Sequence, residues 1–78
     1  MDKEEYALLA QKRFGARMRQ IRESIKPKLT QEALADIAGI DRSYTGKIER
    51  GESNVSLVNI NKIADALKVE PAELFRKG

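Results

Sequence analysis

Between residues 30 and 51 the chain carries four signals about its backbone. Thr30 and Asp41 are residue types that cap the start of a helix, and Gly39 and Gly51 are the type that ends one in the left-handed conformation. The pattern predicts two short helices set at a sharp angle. Leu34, Ala35, Ile37 and Ala38 supply the apolar side of the first. Ile40, Tyr44 and Ile48 form the inward side of the second, which runs to about Arg50. Ala33 stands where a capping box would need Glu or Gln, so Thr30 acts without one.

The rest of the chain reads as helices around this pair. Tyr6, Ala10, Phe14, Met18, Ile21 and Ile25 recur in steps of three and four, which predicts one buried stripe on a helix from about Glu5 to Ser24. Gly15 sits inside that helix at a cost of about 1 kcal/mol against Ala. Lys26-Pro27-Lys28 ends it, because proline cannot continue a helix. Glu52 to Val55 is a loop, and Ser56 caps a fourth helix with Leu57, Ile60, Ala64 and Leu67 in register. Pro71 suits the first turn of a short fifth helix bearing Leu74 and Phe75. The expectation is one all-α domain over residues 1–78, with no strand, repeat or low-complexity segment.

Composition narrows what such a domain does. The 78 residues contain no cysteine and no histidine. That removes the disulfide, the thiolate metal site and the commonest general base, so neither an enzyme nor a metal or cofactor site is expected. No apolar run reaches the length of a membrane span, which makes a cytoplasmic protein the expectation. The formal charge is +3, and its distribution is uneven. Residues 1–29 hold eight Lys/Arg against four Asp/Glu, whereas residues 30–54 hold three against five. The central stretch is therefore not basic overall. Lys12, Arg13, Arg17 and Arg19 lie opposite the stripe of the first helix, as a solvated face or as partners for phosphates.

Arrangement matters more than total charge. On a helical wheel Arg42, Ser43, Gly46, Lys47 and Arg50 fall within roughly 140° of arc, with Glu49 at the border. That face holds three cations, one hydroxyl and no acid. Arg42 stands in the first turn, where the helix dipole disfavours a cation, so an external acceptor would explain its presence. The arginine fork matches the two acceptors of guanine in the major groove. Gly46 would let the backbone come close to a partner.

These residues carry a family resemblance. Leu29-Thr30-Gln31-Glu32-Ala33-Leu34-Ala35, Ala38-Gly39-Ile40, Ser43-Tyr44 and Ile48-Glu49-Arg50-Gly51 resemble the helix-turn-helix of the Cro and phage-repressor (xenobiotic-response-element) family. The likeness continues through Ile60, Ala64, Leu67 and Leu74-Phe75, and Asp41-Arg42-Ser43-Tyr44 looks most like restriction–modification controller proteins. The resemblance implies a five-helix, lambda-repressor-like fold whose second motif helix enters the major groove of double-stranded DNA. Carried over by position, Arg42, Ser43 and Lys47 read bases, and Gln31, Tyr44, Arg50 and Asn54 meet the DNA backbone. Tyr44 is equally open to a core role. Arg22 and Glu49 are implied as a structural ion pair. The link from Glu23 to Leu29 is longer than in most members, and Glu52 stands where relatives often carry a cation, so Glu52 is expected to point away from phosphates.

One recognition helix reads few base pairs, so a homodimer on a palindromic operator is expected, with the interface in about residues 56–78. Ile63, Val69, Leu74 and Phe75 are its candidates, the alternative being that they are core. Glu32 and Asp36 lie one turn apart, as favourable helix-start charge or as an acidic patch that touches RNA polymerase. No small-molecule ligand is expected, and regulation would follow the protein's own concentration. Within DNA binding the alternatives to a controller are a phage-type repressor or an antitoxin that represses its own operon. Outside it stands a protein-interaction adaptor on the same fold.

Overall fold

The computed structural model describes residues 1–77. Four α-helices are present: α1 (Lys3–Ser24), α2 (Gln31–Ala38), α3 (Arg42–Glu49) and α4 (Leu57–Leu67). The fifth helix expected at the C-terminus is a 3-10 turn, Pro71–Phe75. Five residues are too few to close several α-helical bonds, and the tighter turn is the usual form for so short a piece. No strand occurs among the described residues.

The caps work as the residue types demand. Thr30 accepts from the Ala33 amide, Asp41 from the Ser43 amide and Ser56 from the Asn59 amide. Gly39 closes α2 at φ 72°, and Gly51 follows α3 at φ 77°. Asp41 keeps its charge easily, because the Ser43 hydroxyl and amide hold its carboxyl below the ordinary carboxylate range. Its capping contribution is therefore present at neutral pH and is lost as pH falls from the ordinary carboxylate value towards the lowered one.

Phe14, Met18 and Ile21 of α1, Leu34 of α2, Ile48 of α3, Ile63, Ala64 and Leu67 of α4 and Leu74 of the last turn form the core. Several sequence assignments change here. Tyr6 and Ala10 belong to the expected buried stripe but are exposed, because they line an open groove with Val55, Ile60 and Phe75 instead of packing into the core. Ile37 and Leu57, placed on apolar inner faces, are also exposed. Ile63 and Leu74, considered for a dimer interface, are wholly buried within the chain, and Val69 is half-buried against the same cluster. Phe75 remains 64% exposed, with one side of its ring tilted against Phe14 at 5.4 Å.

How α1 meets α3 decides where α3 points. A Cβ on Gly15 would collide with the Ile48 carbonyl oxygen and come within 2.8 Å of that of Glu49. The glycine thus repays its helix cost by letting α1 lie directly on the backbone of α3. One turn earlier, Gln11 donates to the Gly51 carbonyl at 3.0 Å, and a Cβ on Gly51 would press within 2.8 Å of the Lys12 Cα. At the other end of α1, Arg17 donates through Nε to the Glu73 carbonyl at 2.8 Å and ties down the C-terminal turn. Arg19 pairs with Glu23 along the helix surface.

Candidate nucleic-acid interface

Beneath the outer face of α3 lies a bidentate ion pair. Arg22 donates through Nε to Glu49 Oε2 at 2.7 Å and through Nη2 to Oε1 at 2.9 Å. Its Nη1 donates to the Leu29 carbonyl at 3.0 Å. The two side chains are only 8% and 2% exposed. The hydrogen bonds to Glu49 hold the guanidinium pKa above its ordinary value. An acid at a helix C-terminus opposes the dipole. Here Arg22 offsets that cost and fastens the end of α3 to α1.

Gln31, at the start of α2, joins the same network by donating to Glu49 Oε1 at 2.9 Å. One of its two amide hydrogens is spent there, and the other is left with the amide oxygen for a partner outside. Gly46 differs from its sequence assignment. It is buried under neighbouring side chains, a Cβ there standing 3.0 Å from Arg50 Nη1 and 3.5 Å from Gln31 Oε1. Its small size lets Gln31 and Arg50 close over the helix rather than opening the backbone to a partner.

The cations of α3 fall into two kinds. Arg42 lies against α2, donating through Nε to Asp36 Oδ1 at 3.1 Å and through Nη2 to Asp36 Oδ2 at 2.9 Å. Glu32 Oε2 is 3.6 Å from Nη1. The unfavourable dipole position of Arg42 is thus answered inside the chain by two carboxylates, a partner that the wheel of α3 alone does not reveal. Arg50 donates to Glu52 at 3.1 Å. Glu52 thus lies beside one of the candidate phosphate contacts. Lys47 is exposed and has no ion pair among the described residues.

The remaining candidates sit around this face. Ser43 is exposed and its hydroxyl donates to Asp41 at 2.6 Å. Tyr44 is half-buried against the core, with its hydroxyl accepting from Ser53 at 3.3 Å. Asn54 is exposed in the loop after α3. Thr45, which the sequence reading left without a role, is wholly buried and donates to the Arg42 carbonyl at 3.0 Å. Its place on the same side as Ile48 was the available signal, masked by its hydroxyl. The structure thus brings Arg42, Ser43 and Lys47 to the outside of one helix and places Arg22 with Glu49 beneath it. It separates Ile63 and Leu74, in the core, from Phe75 at the surface.

A short helix held side-on by α1, and preceded by a second helix across a glycine turn, is the architecture of a DNA-binding regulator. Residues 18–74 match the helix-turn-helix family, and the chain belongs to that family of DNA-binding transcription regulators. Within it the similarity is to restriction–modification controllers. The chain is 51% identical over 62 residues to Control protein C.BamHI of Bacillus amyloliquefaciens, covering 80% of this chain and 75% of that protein. It is 43% identical over 63 residues to Control protein C.MunI of a Mycoplasma species, covering 81% and 84%. The crystal structure of the restriction–modification controller protein C.AhdI from Aeromonas hydrophila superposes with a TM-score of 0.79 at 54% identity, covering 83% of this chain and 96% of that one.

Proposed function

We propose that the chain is a homodimeric controller of a restriction–modification operon that reads a palindromic operator with α3 in the major groove. The observation that carries this reading is the exposure of Arg42, Ser43 and Lys47 on one side of a helix whose other side is locked to α1. In it Arg42, Ser43 and Lys47 face base edges, and Gln31, Arg50, Asn54 and the Tyr44 hydroxyl face phosphates. The two-fold partner is expected on the C-terminal part of the chain, residues 56–78. Leu57 and Val58 at the start of α4, and Phe75 in the last turn, are 75%, 63% and 64% exposed there and supply apolar surface to bury.

Selection of bound sites from random duplexes tests the reading. The expected product is an inverted repeat whose half-site centres lie about 34–36 Å apart, one helical turn, or a multiple of it. No enrichment of any sequence would return the fold to the role of a protein adaptor. Capture of a toxin with the chain would favour an antitoxin. Sedimentation of Leu57→Glu as a monomer, with the wild type as a dimer, would place the interface at α4.

For activation we propose Glu32 as the contact to RNA polymerase. Its side chain is 72% exposed and its recorded ion pair is the 3.6 Å contact with Arg42. Glu32→Lys should keep operator binding and lose activation in a reconstituted transcription assay. Loss of operator binding instead would remove the polymerase assignment.

A further inference from the structure

A guanidinium has two edges that each present a pair of parallel N–H bonds: the side edge, Nε with Nη2, and the end edge, Nη1 with Nη2. In Arg42 the side edge is filled. Asp36 takes both of its hydrogen bonds, at 3.1 and 2.9 Å, from the neighbouring helix of the motif. The end edge carries no hydrogen bond, although its Nη1 has the Glu32 carboxylate at an ion-pair distance of 3.6 Å. An end edge offers two donors at the spacing of guanine O6 and N7.

We infer that Asp36 is a specificity-positioning residue, holding Arg42 by its side edge so that the end edge is presented to a guanine. This rests on the reading of Arg42 as a base-contacting residue. Without Asp36 the long Arg42 side chain would have to surrender its rotamer freedom at the moment of binding, and would be free to swing to a phosphate instead. In the free protein the pair is exposed, 62% and 55%, and weak. Once DNA covers α3 and excludes water, the same hydrogen bonds act in a lower dielectric and strengthen.

The carboxylate has a second, opposite effect. It brings a negative charge close to the phosphates of any duplex and so weakens binding that is independent of sequence. Asp36 therefore raises discrimination while lowering general affinity. A residue that only supported the fold would move both in the same direction, and a residue that only met polymerase would move neither.

The test uses the full chain and three duplexes: the selected operator, the same operator with the guanine opposite Arg42 replaced in each half-site, and an unrelated sequence. Binding is titrated at fixed salt for the wild type, Arg42→Ala, Asp36→Ala and Asp36→Asn, with a thermal melt of each. Both Asp36 variants should lower the ratio of operator to replaced-guanine affinity by about ten-fold, tighten binding to the unrelated duplex and melt with the wild type. If Arg42→Ala collapses the ratio and the Asp36 variants leave it intact, the positioning role falls and the base-reading role of Arg42 stands. If Arg42→Ala leaves the ratio intact, both fall together. Equal weakening on all three duplexes with a lowered melt would make Asp36 a folding residue. Unchanged binding with lost activation would make it a polymerase contact. Each of these last two outcomes overturns the inference.

Discussion

Two arginines in this chain make the same bond in different surroundings. Arg22 grips Glu49, and Arg42 grips Asp36, each through Nε and Nη2 on the two oxygens of a carboxylate. The first pair is almost wholly buried, and the second is more than half exposed. Burial decides what each pair is for. A buried pair cannot lose one member without stranding a charge in a poor dielectric, so it is committed to the fold. An exposed pair competes with water at every moment and can be handed to a new partner at little cost. Helix α3 carries a pair of each kind: the buried one fastens it to α1, and the exposed one joins it to α2.

The largest test of this contrast is Arg22→Ala. It should cost about 3–5 kcal/mol, a large part of the ~4–12 kcal/mol expected for a chain of this size. Chemical denaturation would measure it. Replacing both partners, Arg22→Met with Glu49→Leu, should recover most of that loss, since no charge is then stranded. A double variant as unstable as the single would mean that the pair specifies the fold by more than mutual neutralisation.

Gly15→Ala comes next. Overpacking the α1–α3 contact should cost about 1–3 kcal/mol and weaken operator binding as well, because α1 would be pushed off the backbone that sets the angle of α3. Undiminished stability would show that α1 does not press on α3 at this point. Arg42→Ala should leave the melt almost unchanged and lower discrimination at one base pair of each half-site by roughly ten-fold. A large loss of stability would mean that the exposed pair resembles the buried one after all. The smallest effect is expected for Lys47→Ala. The slope of log affinity against log salt should become shallower by about 1 if Lys47 meets a phosphate, uniformly across sequences. A change at one base pair with no change in slope is the outcome that the proposed base contact of Lys47 requires.

Much of the fold was legible in residue types that act locally. Thr30, Asp41 and Ser56 cap helices because a hydroxyl or carboxylate reaches an amide two or three positions on, and Gly39 ends α2 where only the chain's own φ is at issue, whereas Gly51 must also clear Lys12 of α1. Periodicity was a weaker guide. The stripe of α1 predicted an apolar face but not that Tyr6 and Ala10 would border an open groove rather than the core. The face of α4 predicted Leu57 inside, but at the first position of the helix it is exposed. Ile63 and Leu74 read equally well as interface or core until the packing placed them inside.

The candidate site divides in the same way. That Arg42, Ser43 and Lys47 share the outside of a short helix follows from 3.6 residues per turn and from caps that fix where the turn count begins. The sequence alone therefore determined the four α-helices to within about two residues at each end and put Arg42, Ser43 and Lys47 on the outer side of α3, but not the 3-10 form of the last turn or the burial of Gly46. Only the tertiary structure decided which partners those residues meet. The wheel of one helix contains no other helix, so it could not show Asp36 beside Arg42, or Gln31 and Arg50 closing over Gly46. It could not show why a glycine, Gly15, stands inside α1 either. Those facts depend on how separate helices meet, Asp36 and Arg42 lying six residues apart but on different helices, and such meetings are set by packing, which no local propensity encodes.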